Sequence, residues 1–412
     1  MSQKTYKPKD APTLSPEVKV DEPREAVSSE ERLQIERPSL RDWMDLRLGW
    51  YGFVRKNLDE PMPAGVGWWQ TLGNLLMTLL VFQFITGFAL AMYYSPSPDS
   101  AHASVKHLTY EVGLGSFIRG LHSWGSTVIV IAVVLHMLRV FFWGSYKKPR
   151  ELTWVVGVII FQVILGFSFT GYLLPWDQKA YWATVVGTRI AATIPVVGHA
   201  LLVFIRGGEE VGALTLTRFY SFHVMLLPAS LILFTFLHLY LVRRHHIAGP
   251  VTPAKGAPVP FYPNQLFKDA IVLLFGVGLL IYLAVALPPG LEAIADPTGT
   301  DFSPRPEWYF LGLYELLKVM PSGWEVVATV IIPTGITIGM FALPWLDRSK
   351  SRHPAKRQWI IMSGFAAILL IGLMTLKGIL ETPPEHKKSE ATLAESNDIP
   401  KAEATQLESL GE

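Results

Sequence analysis

The sequence predicts an all-α integral membrane protein of seven transmembrane helices with additional amphipathic surface helices, and three observations carry that prediction. Half of the 412 residues are hydrophobic and only 17% are charged, against about 25% charged in soluble domains. Seven apolar stretches each reach the roughly 20 residues that cross a bilayer as a helix. Thirteen Trp, fourteen Tyr and twenty-two Phe suit long lipid-facing and interfacial perimeters. The absence of cysteine excludes disulfides, thiolate metal sites, cysteine nucleophiles and covalent haem attachment through CxxCH. A net charge of +2 gives no field that would attract nucleic acid.

Residues 1–37 are rich in Pro, Lys, Glu and Ser without apolar periodicity, which predicts a disordered tail. No apolar run shaped like a signal peptide follows, so the tail is expected on the cytoplasmic side. An amphipathic cytoplasmic lead-in is expected over 38–68. The spans are then read as 69–94, 117–143, 152–174, 219–242, 268–288, 324–346 and 357–378. Helices are the expected form, because lipid offers no partner to an open backbone group. The shorter apolar run 190–205, broken by Pro195, Gly198 and His199, is expected to lie on the surface. Three connections on one side carry twelve basic residues and the longer opposite three carry eight, so the basic side is expected to face the cytoplasm. An odd number of spans then leaves the C-terminus, with a second polar tail over 379–412, on the outer side.

Four histidines fall well inside spans: His122 and His136 in the second, His223 and His238 in the fourth. Spacings of 14 and 15 residues separate each pair by about 21 and 22 Å along its axis and bring both to nearly one face. Two helices thus offer two histidine levels, one near each membrane surface. A buried imidazole bonded to a neighbouring helix would explain any one of them; four in matched positions predict axial ligation on both sides of a metal, as in a haem closed to oxygen and suited to electron transfer. The expected pairs are His122 with His223 near the outer surface and His136 with His238 near the cytoplasm. Gly73 and Gly87 in the first span, and Gly157 and Gly171 in the third, repeat the 14-residue interval, as a macrocycle lying close to a helix backbone requires. Glycine is also common at membrane helix contacts. Arg119 and Arg139, one turn beyond His122 and His136, are candidate propionate partners or snorkelling anchors.

These residues resemble the cytochrome b subunit of quinol-oxidising cytochrome bc complexes. The resemblance rests on the histidine and glycine spacings together with GYLLPWDQ at 171–178, TRFYSFH at 217–223 and PEWYF at 306–310, and spans roughly 42–378. The 15-residue interval and KKPRELTW at 147–154 resemble the chloroplast-type branch, there split into two chains and here fused. Leu79 stands where that branch has a thiol anchoring an additional haem, which puts such a haem in doubt, and an eighth span is missing. The resemblance implies a four-helix N-terminal domain over 69–250 holding two stacked non-covalent b-type haems. It also implies a three-helix C-terminal domain over 251–378 carrying the PEWYF loop.

It further implies a quinol pocket at the outer face, with Glu307 as proton acceptor and Tyr309 beside it, roofed by a surface helix beginning near Tyr181. An inner quinone site would involve Arg243, with Lys268 and Asp269 as weaker candidates; the basic Arg243 cluster also satisfies the positive-inside rule. The implied partners are a Rieske-type iron–sulfur protein, a c-type cytochrome subunit, quinone and membrane lipid, in a multi-subunit complex that is a homodimer, in a bacterial cytoplasmic membrane. The implied reaction is quinol–cytochrome c-type reduction coupled to proton translocation. Two other classes stay open on the residues alone. A bis-histidine membrane anchor of a dehydrogenase or hydrogenase explains the histidines but not PEWYF or the glycine pairs. A proton-coupled transporter predicts a colourless protein and usually asks for intramembrane acids.

Overall fold

The structure, a computed structural model, describes residues 39–299 and 305–381; the expected tails over 1–37 and most of 379–412 lie outside the described residues. Residues up to Asn57 group as one unit and Leu58 onward as another. The first unit holds α1 (Leu40–Leu48) and nearly all of α2 (Trp50–Leu58). Ser39 caps α1 by accepting from the Asp42 amide, and Gly49 ends it at φ +59°. Glycine reaches that left-handed conformation without strain. The Asp45 carboxylate then accepts from the Tyr51 amide at 2.8 Å and starts the next turn.

Among its described residues the second unit contains seven helices long and apolar enough to cross a membrane: Trp68–Ala91, Gly115–Phe142, Glu151–Tyr172, Ala213–His245, Asn264–Ala286, Val327–Leu346 and Gln358–Leu380. Their regular α-helical parts are α3 (Leu72–Ala91), α5 (Gly115–Phe142), α6 (Glu151–Tyr172), α9 (Ala213–Ser221) continued by α10 (Leu227–His245), α11 (Asn264–Ala286), α13 (Ile332–Leu346) and α14 (Gln358–Leu380). Between them lie α4 (Ala101–Tyr110), α7 (Gln178–Ala192), α8 (Gly198–Arg206) and α12 (Trp308–Val319). The broken apolar run 190–205 is thus the end of α7, a turn and most of α8.

The fourth span begins six residues earlier than its hydropathy suggested, because the polar stretch ALTLTRFYS is helical as well. A five-residue π turn, Phe222–Leu226, joins α9 to α10, with the Leu227 amide donating to the Phe222 carbonyl. Its cause is Pro228, which has no N–H and whose ring crowds the preceding turn. The same device recurs before Pro333, where Val327–Ile331 is π-helical. His223 sits on the first of these widened turns.

The core lies where α3, α5, α6 and α11 meet, around Leu79, Leu121, Ile129, Val133, Ile164 and Leu280. Leu79 is 1% exposed, a packed core hydrophobe. Exposed large apolar residues such as Phe88, Leu233, Phe236, Leu274 and Phe275 cover the outsides of the spans, as lipid contact requires. Pro61–Met62 pairs antiparallel with Val259–Pro260 and ties the entry of the first span to that of the fifth.

Beyond the end of α5, a buried charge network gathers three chain segments. The Asp347 carboxylate accepts from Tyr146 at 2.6 Å and pairs with Lys147 at 2.8 Å and Arg357 at 3.2 Å. Arg357 also donates to the Phe142 carbonyl at 2.8 Å. Burial alone would raise the Asp347 carboxyl, but bonds from Lys147 and Tyr146 outweigh it and hold it below the usual carboxylate range.

Candidate di-haem centre and adjoining pocket

The antiparallel course of the spans gathers the four histidines and four glycines into two levels. At the first, the His122 and His223 rings stand 6.3 Å apart, centre to centre, inclined at 71°. A side chain on Gly87 would meet His122 Cε1 at 3.1 Å, and one on Gly171 would meet His223 Cε1 at 2.5 Å. At the second level His136 lies within electrostatic reach of His238. A side chain on Gly73 would meet His136 Cε1 at 3.9 Å, and one on Gly157 would meet His238 Cε1 at 3.4 Å. Each glycine thus opposes one histidine, and room for the imidazole itself is part of its role.

Two threonines, not singled out from the sequence, orient the first level. Thr86 Oγ1 lies 3.0 Å from His122 Nδ1, and its hydroxyl donates to the Phe82 carbonyl at 2.6 Å. Thr170 Oγ1 lies 3.2 Å from His223 Nδ1 and donates to the Gly166 carbonyl at 2.8 Å. A hydroxyl has one hydrogen, already committed to a carbonyl, so each threonine accepts at the ring. Nδ1 therefore carries the proton and Nε2 is left with its lone pair, the form in which histidine ligates a metal. Two imidazoles on one metal, each bonded at about 2 Å, have ring centres about 6 Å apart, which is the spacing here. A metal group ligated by two imidazoles, such as haem, fits these residues.

The second level is built differently. Among the described residues no hydroxyl bonds His238 Nδ1, and the ring lies against the Thr153 backbone. Arg139, within electrostatic reach of His136, is 7% exposed; it donates to the Ala248 carbonyl at 3.4 Å and its Nε is buried without a partner among the described residues. Arg150 and Arg352 lie nearby, bonded to carbonyls of His245, His246 and Gly249. A buried guanidinium among cations, with an unused donor, suits a carboxylate-bearing cofactor. Arg119 at the other end is occupied: it donates to the carbonyls of Pro289 at 2.8 Å and Gly290 at 2.6 Å.

A cavity of about 450 Å³ adjoins the first level, lined by Ser123, Trp124, Thr127, Leu287, Pro288, Pro289, Glu307 and Trp308. Trp124 fixes one wall through its indole N–H to the Leu287 carbonyl at 2.7 Å. Glu307 precedes the first turn of α12 and its side chain does not cap that helix. Lys179 instead takes it, Nζ to Oε1 at 3.0 Å. Tyr309 packs beside it against Phe310, ring centres 4.9 Å apart. Burial, aided by the Glu307 charge, pushes the Tyr309 phenol up, so it stays a neutral hydroxyl. The expected roof is α7: Asp177 caps it through the Ala180 amide at 2.9 Å, and Tyr181 is buried beneath it.

The residues suggested for an inner site are spread over several contacts. Arg243 pairs with Glu60 at 3.6 Å, and Lys268 donates to the Val66 carbonyl at 2.9 Å. Asp269 is buried and accepts from Asn74 and from Gln265.

Fold and site define a multi-pass helical membrane protein with two facing histidine pairs inside its bundle. Residues 57–246 match the family model described as cytochrome b/b6/petB, and 294–395 match that of cytochrome b(C-terminal)/b6/petD. The cytochrome bc complex cytochrome b subunit of Chlorobaculum thiosulfatiphilum is 38% identical over 305 residues, 72% of this chain and 70% of the relative. Cytochrome b6 of Synechococcus elongatus is 42% identical over 210 residues, 51% of this chain and 98% of the relative. A solved chain from a hyperthermophilic respiratory Complex III superposes with a TM-score of 0.74 at 28% identity, covering 84% of this chain and 93% of that one. The chain belongs to the cytochrome b family, with the b6-like half and the C-terminal half fused in one polypeptide.

Proposed function

We propose that this chain is the di-haem electron-transfer subunit of a quinol-oxidising bc-type complex. The observation that carries it is the first histidine level, with ring centres 6.3 Å apart, beside a cavity that contains Glu307. His122 with His223, and His136 with His238, would each hold one b-type haem, whose iron would supply reversible one-electron chemistry. Gly87 and Gly171 leave room for the ligand rings, the two threonines orient them, and Arg139 offers its free Nε to a propionate.

Quinol would bind in the Glu307 cavity at the outer face, where the carboxylate accepts a hydroxyl proton and Tyr309 offers a neutral hydroxyl. One electron would pass to a Rieske-type iron–sulfur partner, and thence a c-type cytochrome. The other would cross the bilayer along the two levels to a quinone near Asp269, with protons released outside and taken up inside. The complex is expected in a bacterial cytoplasmic membrane as a dimer, with the N-terminus of this chain inside.

Rapid mixing of the assembled complex with a short-chain quinol tests the reading. Quinol should reduce the haem absorption bands, and Glu307→Gln should slow that reduction about a hundredfold, the low end for loss of a general base. Bands that stay oxidised in the wild type under excess quinol would refute it.

A further inference from the structure

Lys179 has no place in the scheme so far, yet it is the only cation paired with Glu307 among the described residues. It rises from the first turn of α7, and the geometry before that turn is tightly set. Trp176 adopts φ +52°, and Asp177 bridges to Ile294. The Gln178 amide donates to the Ala293 carbonyl at 3.0 Å, and the Ala295 amide to Trp176 at 3.0 Å. The corner is thus clamped to the segment leading toward α12. Lys179 Nζ lies 3.0 Å from Glu307 Oε1 and 5.7 Å from the centre of the Tyr172 ring. Among the described residues no donor bonds Glu307 Oε2, and the Tyr172 hydroxyl is buried without a partner. The lysine and glutamate side chains are 39% and 31% exposed. Such a pair adds little to stability, so its removal should leave the fold in place.

We propose that Lys179 is a positioning residue of the quinol pocket: its ammonium grips Glu307 through Oε1, keeps Oε2 for a quinol hydroxyl, and lets go once the proton has moved. The inference rests on Glu307 being the proton acceptor. In the step, the quinol O–H bond breaks and an O–H bond forms at Oε2, so the carboxylate becomes a neutral acid. The pair loses its charge–charge attraction at that moment. The acid is then free to turn from the ammonium and give its proton to water, which restores the carboxylate and the pair. The electrons of the deprotonated quinol leave to the iron–sulfur and haem acceptors of the proposed reaction. Protonation of Glu307 is thereby coupled to opening of the pocket edge.

The titratable and charged groups around Glu307 are Lys179 from α7, Tyr172 from α6 and Tyr309 from α12, with Asp177 and Glu292 beyond Tyr172. Arg119 of α5 lies beyond Asp177 and is committed to the Pro289 and Gly290 carbonyls, so among the described residues Lys179 alone pairs its positive charge with Glu307. The test measures quinol oxidation by the assembled complex against pH, with kcat and KM separated, for Lys179→Met, Lys179→Arg, Glu307→Gln and the double variant combining Lys179→Met with Glu307→Gln; haem content reports assembly. Lys179→Met should lower kcat about threefold with KM little changed, as expected for losing a half-exposed partner that orients the acceptor. Lys179→Arg should keep the wild-type profile, and Lys179→Met should add nothing in the Glu307→Gln background. A Lys179→Met profile that superposes on wild type, while Glu307→Gln still slows the reaction, overturns the latch and leaves the acceptor reading intact. Equal losses in the Lys179→Met and Lys179→Arg variants make Lys179 a packing residue and overturn it too. A Glu307→Gln enzyme with unchanged rate overturns the acceptor reading and the latch with it.

Discussion

The two histidine levels use one spacing rule and two different supports. At the His122/His223 level each ring is bonded through Nδ1 to a threonine and pressed against a glycine, with Cβ positions at 3.1 and 2.5 Å. At the His136/His238 level the glycines stand off at 3.9 and 3.4 Å, and no hydroxyl among the described residues bonds His238 Nδ1. There the support is charge, with a buried Arg139 and, just past the end of α5, the Asp347 network. The contrast teaches that matching ligand intervals does not imply matching ligand environments. A tightly bonded level and a looser, more cationic one suit two haems of different potential, since hydrogen bonds to the ligands and local charge are among the protein's means of tuning them.

The largest expected effect breaks the first level sterically. Gly171→Ala places a methyl 2.5 Å from His223 Cε1, so one of two haems should be lost on purification, whereas Gly73→Ala, with its neighbour at 3.9 Å, should retain both; a pyridine haemochrome count separates them. Next comes the charge network at the other end. Asp347→Asn strands the fully buried Arg357 side chain and should cost about 3 kcal/mol in stability, read as a lowered unfolding temperature. Because its folded carboxyl lies below the usual range, this contribution is complete above about pH 4 and fades as the pH falls through the folded value. Wild type and Asp347→Asn should therefore converge only in acid, and convergence at neutral pH would contradict the network's role.

A smaller effect sharpens the comparison from the side of orientation. Thr86→Val and Thr170→Val remove the acceptors at Nδ1 and should each weaken haem retention at the first level about tenfold, measured by haem transfer to an apo-globin trap. The matching change at the second level, Thr153→Val, should do little, since its hydroxyl bonds nothing among the described residues.

Much of this contrast was open to reading in the residues. The 14- and 15-residue intervals marked the four histidines and set them beside glycines, because helical periodicity turns spacing into height and face. The difference in support was also written there: Thr precedes Gly87 and Gly171, while Leu and Val precede Gly73 and Gly157. A threonine inside an apolar helix usually bonds its own backbone, so the Thr–Gly pairs gave no reason to look further. The early start of the fourth span escaped hydropathy because Thr215, Thr217 and Arg218 dilute it; the π turn was hinted at only by Pro228. Lys179 and Glu307 lie 128 residues apart, and their meeting depends on how the corner after α6 clamps the segment before α12. No local pattern encodes such a long-range meeting.

The central claim is that two histidine pairs ligate two separate haems, and a reduced-minus-oxidised absorption spectrum with a haem count tests it most directly. The purified complex should carry two b-type haems on this chain, with His122→Ala and His136→Ala each removing a different one, distinguishable by band position and midpoint potential. A chain without haem, or two variants that lose the same haem, would contradict the account.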